Sequence, residues 1–75
     1  MTQIKLGKYV HFKGKEYEVI GKALNSETLE EMVLYKPLYD FPGHRRDVVF
    51  VRPAKMFFEE IERENYKGPR FKLIE

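Results

Sequence analysis

The sequence predicts a mainly β domain: a small SH3-like, partly open barrel of about five antiparallel strands, with a 3₁₀ turn near residues 53–56. Three observations carry that expectation. Short runs of β-branched and aromatic residues alternate with clusters of Gly, Pro, Asn and Asp, as in an all-β domain with tight turns. The chain has 75 residues, and chains divide into several domains only beyond about 250, so residues 1–75 are read as one domain. There is no cysteine, so neither a disulfide nor a thiolate zinc site braces the chain, and packing or a partner subunit must do so. Six Phe and five Tyr meet that demand, since each such ring buries roughly 150–250 Å².

Residues 9–23 read as a β-hairpin. Tyr17 and Val19 alternate with Glu16 and Glu18, as in a half-buried strand, and Gly14 supplies the positive φ of a short turn. Gly21 would weaken the second strand unless the backbone bends there, so a bulge or barrel corner is expected. Asn25, Ser26, Glu27 and Thr28 break the pattern as a loop. A third strand covers residues 31–38, with Val33 and Tyr35 on one face and Met32 and Leu34 on the other; apolar groups on both faces place it centrally. A polar connection follows, turned by Pro42 and Gly43. Residues 47–52, with Val48, Val49, Phe50 and Val51, form the clearest strand, and Pro53 stops it.

Residues 54–64 allow two readings. Most are good helix formers, and Phe57 and Ile61 have helical i,i+4 spacing. The alternative is a 3₁₀ turn over residues 53–56 followed by a strand over 57–62. The second is preferred, because a four-stranded sheet leaves an exposed edge that a fifth strand closes. Residues 65–69 read as another turn, and residues 70–74 as a short extended tail with Phe71 and Leu73 on one side.

The net charge of +2 is too small to announce a polyanion partner. It is, however, banded: +3 over residues 1–24, −3 over 25–40, +3 over 41–56 and −1 over 57–75. No apolar run approaches the ~20 residues of a membrane span. Met1, Thr2 and Gln3 lack a charged-then-apolar leader pattern. A cytoplasmic location without a membrane partner is therefore expected.

Two constellations carry chemistry. In the first, Ser26, Glu27 and Thr28 present two hydroxyls and a carboxylate from a loop. The plainer role for Ser26 and Thr28 is to satisfy backbone groups, with Glu27 pairing a nearby cation. Ser26 lacks an elbow motif, and only His11 and His44 are available as bases, so it is not read as a nucleophile. Arg52 lies on the strand face opposite Val49 and Val51. Its guanidinium either clamps a carboxylate or phosphate, or pairs with Glu27 or Glu30 and locks loop to strand. In the second, Lys8, Lys13, Lys15 and Lys22 lie near Tyr9, His11 and Tyr17 and join Arg45 and Arg46 as a stacking platform with phosphate contacts. Glu16 and Glu18 dilute that field, and the tyrosines equally serve a core. His11 and His44 have no paired metal-ligand spacing, and no metal or cofactor is expected.

Several words along the chain go together: His11-Phe12-Lys13-Gly14, Tyr17-Glu18-Val19, Ser26-Glu27-Thr28-Leu29-Glu30, Val33-Leu34-Tyr35, Leu38-Tyr39, Val51-Arg52-Pro53, Met56-Phe57 and Pro69-Arg70-Phe71. In these the chain resembles domain of unknown function 1653, a family of small bacterial proteins. The resemblance implies a one-domain, β-rich module without an assigned activity. That family often has His where this chain has Asn25 and Trp where it has Phe50, so chemistry resting on that histidine would be missing here. The expectation is a non-catalytic module that binds a small anionic ligand or a protein partner at a rim of Ser26, Glu27, Thr28, Tyr35, Arg52 and Arg70. Arg52 and Arg70 are the anion contacts. The alternative is a single-stranded nucleic-acid binder using Tyr9, His11, Lys13, Lys15, Arg45 and Arg46, and a small enzyme comes third. A second copy of the chain is a further candidate partner.

Overall fold

The computed structural model describes residues 4–39, 48–63 and 65–75. Strand β1 (Gly7–His11) and strand β2 (Glu16–Leu24) form the expected hairpin, with Tyr9 opposite Tyr17. Gly14 turns it at φ 102°, a conformation that costs other residues about 1–3 kcal/mol. Strand β3 (Glu31–Pro37) lies between β2 and β4 (Phe50–Pro53), the central place its two apolar faces call for. The β2–β3 register shifts between Val19 and Gly21, so the bulge expected there is present.

Paired residues share a face, and the register therefore sorts the side chains. Tyr9, Tyr17, Val19, Val33 and Tyr35 point to one side and are buried there. Glu16, Glu18, Lys8 and Lys36 point to the other, with Glu18 opposite both Lys8 and Lys36. Helix α1 (Ala54–Phe57), a single turn, covers the apolar side and buries Ala54 and Phe57. Phe57 is fully buried and stacks on Phe71, with centroids 4.1 Å apart and planes 3° apart. Such a pair contributes about 0.5–1.5 kcal/mol beyond the area it buries.

The chain then forms a separate hairpin of β5 (Glu60–Arg63) and β6 (Tyr66–Pro69) before β7 (Phe71–Leu73) pairs antiparallel with β1. The main sheet thus runs β4-β3-β2-β1-β7. Its outermost strands nevertheless approach each other, because the guanidinium of Arg52 on β4 lies 5.6 Å from the ring centroid of Phe71 on β7. The sheet is curled but not closed, the partly open, mainly β architecture that the sequence predicts.

The assignment after Pro53 differs in detail. Residues 53–56 are not a 3₁₀ turn leading into a strand over 57–62; an α-turn ends at Phe57, and the strand starts at Glu60. An unbroken strand would put Glu59 on the same face as Phe57 and Ile61, both buried, and bury its carboxylate; the helical turn avoids that cost. The fifth strand of the main sheet is the tail. Residues 66–69 are a strand rather than a turn, since Arg63 pairs directly with Tyr66. The turn placed at Pro42 and Gly43 lies outside the described residues.

Candidate functional site

Arg52 is the residue on which the site turns. Its register opposite Val33 puts it on the apolar side of the sheet, where a charged head needs compensation. Its Nε–H donates to the Tyr35 hydroxyl at 3.1 Å, and its planar head lies over Phe71. That leaves the four N–H bonds of its two terminal nitrogens without a protein acceptor among the described residues. Tyr35 is buried and fixed by edge-to-face contacts with Tyr17, Phe50, Phe57 and Phe71, so the hydroxyl that holds Arg52 is itself immobile.

Phe71 joins the other half. Opposite it on β1 is His11, whose ring meets Phe71 edge-on at 4.9 Å. The backbone N–H of Lys13 donates to His11 Nδ1 at 3.1 Å, so the neutral ring carries its proton on Nε2 and offers a donor there. Burial lowers the His11 pKa from its usual 6.5, and the charges of Arg52, Arg70 and Lys13 lower it further. Three cations therefore act on one imidazole. Arg70, just before β7, donates from Nη2 to Glu59 Oε1 at 2.9 Å, while its Nε is buried without a partner among the described residues. Beside this cluster the Tyr17 and Tyr39 hydroxyls are hydrogen-bonded at 2.8 Å. Burial and that bond raise the Tyr17 pKa well above 10, against a smaller opposing pull from Arg52. The hydroxyl therefore stays protonated. Cationic and neutral donors on an aromatic floor suit an anion with a flat or apolar body.

The first sequence-predicted set divides. Tyr35, Arg52 and Arg70 come together at the seam between the two edge strands, and Ser26, Glu27 and Thr28 do not join them. Those three sit at the tip of the β2–β3 hairpin, whereas the Arg52 head reaches toward Tyr35, away from the tip. The pairing of Arg52 with Glu27 or Glu30 is not made. Asn25 explains the loop instead: its Oδ1 accepts the N–H groups of Glu27 and Thr28, Thr28 Oγ1 accepts that of Glu30, and Leu29 takes a left-handed φ of 60°. Of the second set, Tyr9 is buried under α1 and donates to the Lys5 carbonyl, so it is no stacking platform. His11 and Lys13 join the Arg52 cluster, Lys15 lies over Tyr39, and Arg45 and Arg46 fall outside the described residues. The sequence reading did not place His11 beside Arg52. The available signal was its two-residue spacing from Tyr9, which puts both on one strand face.

A groove of about 450 Å³ on the other side of the sheet is lined by Lys8, Glu16, Glu18, Leu38 and Glu75. Lys8 and Glu75 are 3.6 Å apart there. It shares no residue with the arginine cluster.

The pattern of a protein family of unknown function, DUF1653, matches residues 7–73, from the start of β1 to the end of β7. The chain belongs to the DUF1653 family. A crystal structure of a DUF1653 protein from Bordetella bronchiseptica is similar to it, with a TM-score of 0.84 and 29% identity over 96% of this chain and 88% of that one. The open, curled sheet is thus shared between two DUF1653 chains of divergent sequence. No curated protein matches.

Proposed function

We propose that this DUF1653 chain is a non-catalytic binding module, working in the cytoplasm, that takes a small carboxylate- or phosphate-bearing ligand at the seam between β4 and β7. One observation carries the reading: Arg52 is fixed over Phe71 by its Nε–H bond to Tyr35, and its outer N–H groups have no carboxylate partner among the described residues. Arg52 is half-buried, so an anion pairing with its guanidinium meets less competition from water than at an exposed arginine. Arg70 and the His11 Nε2–H extend the same donor surface. Burial keeps the Tyr17 hydroxyl protonated, and burial, followed by the neighbouring cations, lowers the His11 pKa, so near neutral pH both present neutral groups to a ligand. The loop of residues 26–28 drops out of the site.

Backbone amide shifts followed during titration with inorganic phosphate, acetate and benzoate at fixed ionic strength test the proposal. Saturable shifts at His11, Lys13, Tyr35, Arg52 and Arg70, with benzoate ahead of acetate, support it. Shifts confined to residues 25–30, or none, defeat it.

A further inference from the structure

Charge that is diluted along the sequence is partly separated by the fold, with Glu59 remaining at the seam on Arg70. Glu16 and Glu18 face away from the seam, toward Lys8 and Lys36. On the seam side cations meet rings one after another. Lys13 and Arg63 each lie 5.9 Å from the centre of the Phe12 ring, which stacks on Tyr66 at 5.5 Å. Phe12 is in turn 4.4 Å from the His11 ring, and His11 senses Arg52 and Arg70. In the same hairpin turn Lys15, whose carbonyl accepts the His11 N–H, lies 4.9 Å over Tyr39, whose hydroxyl bonds Tyr17. The result is a half-exposed track of cations and aromatic faces that includes Arg52.

We infer that the anion taken at Arg52 is a phosphodiester of single-stranded nucleic acid, laid along this track. The inference rests on the anion-binding reading above and names its ligand class. A lone small anion uses Arg52 and its neighbours but has no use for Lys13, Lys15 and Arg63 ranged along the rings. A single strand uses both, because each base offers a face to a ring and each phosphate a charge to a cation. Stacking a base on a ring is worth more than an exposed cation–π contact, so a base displaces Lys13 or Lys15 from its ring and frees the ammonium for the adjacent phosphate. Nothing in this arrangement reads base edges, so weak sequence preference follows.

Fluorescence anisotropy of labelled ~10-nucleotide oligothymidine and oligouridine, at a series of salt concentrations, is the test. The expected result is saturable binding whose log–log salt slope is about −0.7 for each phosphate contacted. Lys15→Ala should flatten that slope by about 0.7, whereas Phe12→Leu should weaken binding about 5–100-fold and leave the slope alone. Circular dichroism of each variant confirms that it is folded. If inorganic phosphate shifts Arg52 but the oligonucleotides bind no tighter than a mononucleotide, the inference falls and the anion site stands. Equal displacement of the oligonucleotide by a ten-residue polyglutamate overturns it in favour of an acidic protein partner. Silence from phosphate and oligonucleotides alike removes the anion site as well.

Discussion

Tyr35→Phe isolates the bond that holds Arg52 in place. The substitution removes one oxygen from a side chain that is only 4% exposed and keeps the ring, with its four edge-to-face neighbours. No cavity larger than the lost oxygen forms, so the packing loss is small. What disappears is the acceptor for the Arg52 Nε–H at 3.1 Å. Hydrogen bonds to charged groups contribute about 1.5–3 kcal/mol. Arg52 is only half-buried, so water partly replaces the lost acceptor and a net cost of about 1 kcal/mol is expected. In a domain of this size that lowers Tm by roughly 4–8 °C. Thermal and urea denaturation followed by circular dichroism measure it, with the urea m-value unchanged. The cycle with Arg52→Ala decides the cause: Tyr35→Phe should cost almost nothing once the guanidinium is gone. An equal loss in both backgrounds, or no loss in the first, means that the Tyr35 hydroxyl does not anchor Arg52.

Other outcomes follow from the same geometry. Gly7 has φ 135°, and a methyl group there would collide with the Glu75 carbonyl oxygen that accepts the Lys8 N–H. Gly7→Ala should cost at least about 1–3 kcal/mol from backbone strain alone and free the C-terminus, seen as faster amide exchange at Lys8 and Ile74. Burial, followed by three cations, lowers the His11 pKa from 6.5, so the unfolded chain takes up this proton first. The effect is absent well above 6.5, and stability falls as pH drops through 6.5 until the folded ring also protonates. Between pH 7.5 and 5 the Tm of wild type should fall further than that of His11→Asn, and phosphate should narrow the difference by favouring the imidazolium. At the hairpin tip, Asn25→Ala loses both backbone bonds and should cost about 1 kcal/mol in urea denaturation, while Ser26→Ala stays within about 0.5 kcal/mol of wild type.

Local chemistry was legible in the sequence wherever it decided the structure locally. Gly14 announced its turn, Gly21 its bulge, and the two apolar faces of residues 31–37 their central place. The tail was harder, because three residues carry little periodicity and nothing local says that Phe71 will lie opposite His11. Without that pairing the curl of the sheet was hidden, and so was the approach of β4 to β7. Arg52 stands out in the sequence as an anion contact or the partner of Glu27 or Glu30, but its contacts are Tyr35 on the neighbouring strand and Phe71 across the seam, which no local pattern announces. Closing an exposed edge favours a strand over residues 57–62, but such a strand would bury Glu59 beside Phe57 and Ile61, and that cost decides for the helical turn. Charge banding along the chain was visible early. Its segregation by face required the register.

Arginine side-chain resonances report on the anion site itself. The Arg52 Nε–H, shielded by its bond to Tyr35, should exchange slowly enough to be observed, and in titration with phosphate at constant ionic strength its shift should move and saturate together with that of Arg70. An Arg52 Nε–H signal that stays put while phosphate rises, or drifts without saturating, would contradict the assignment of this seam as an anion receptor.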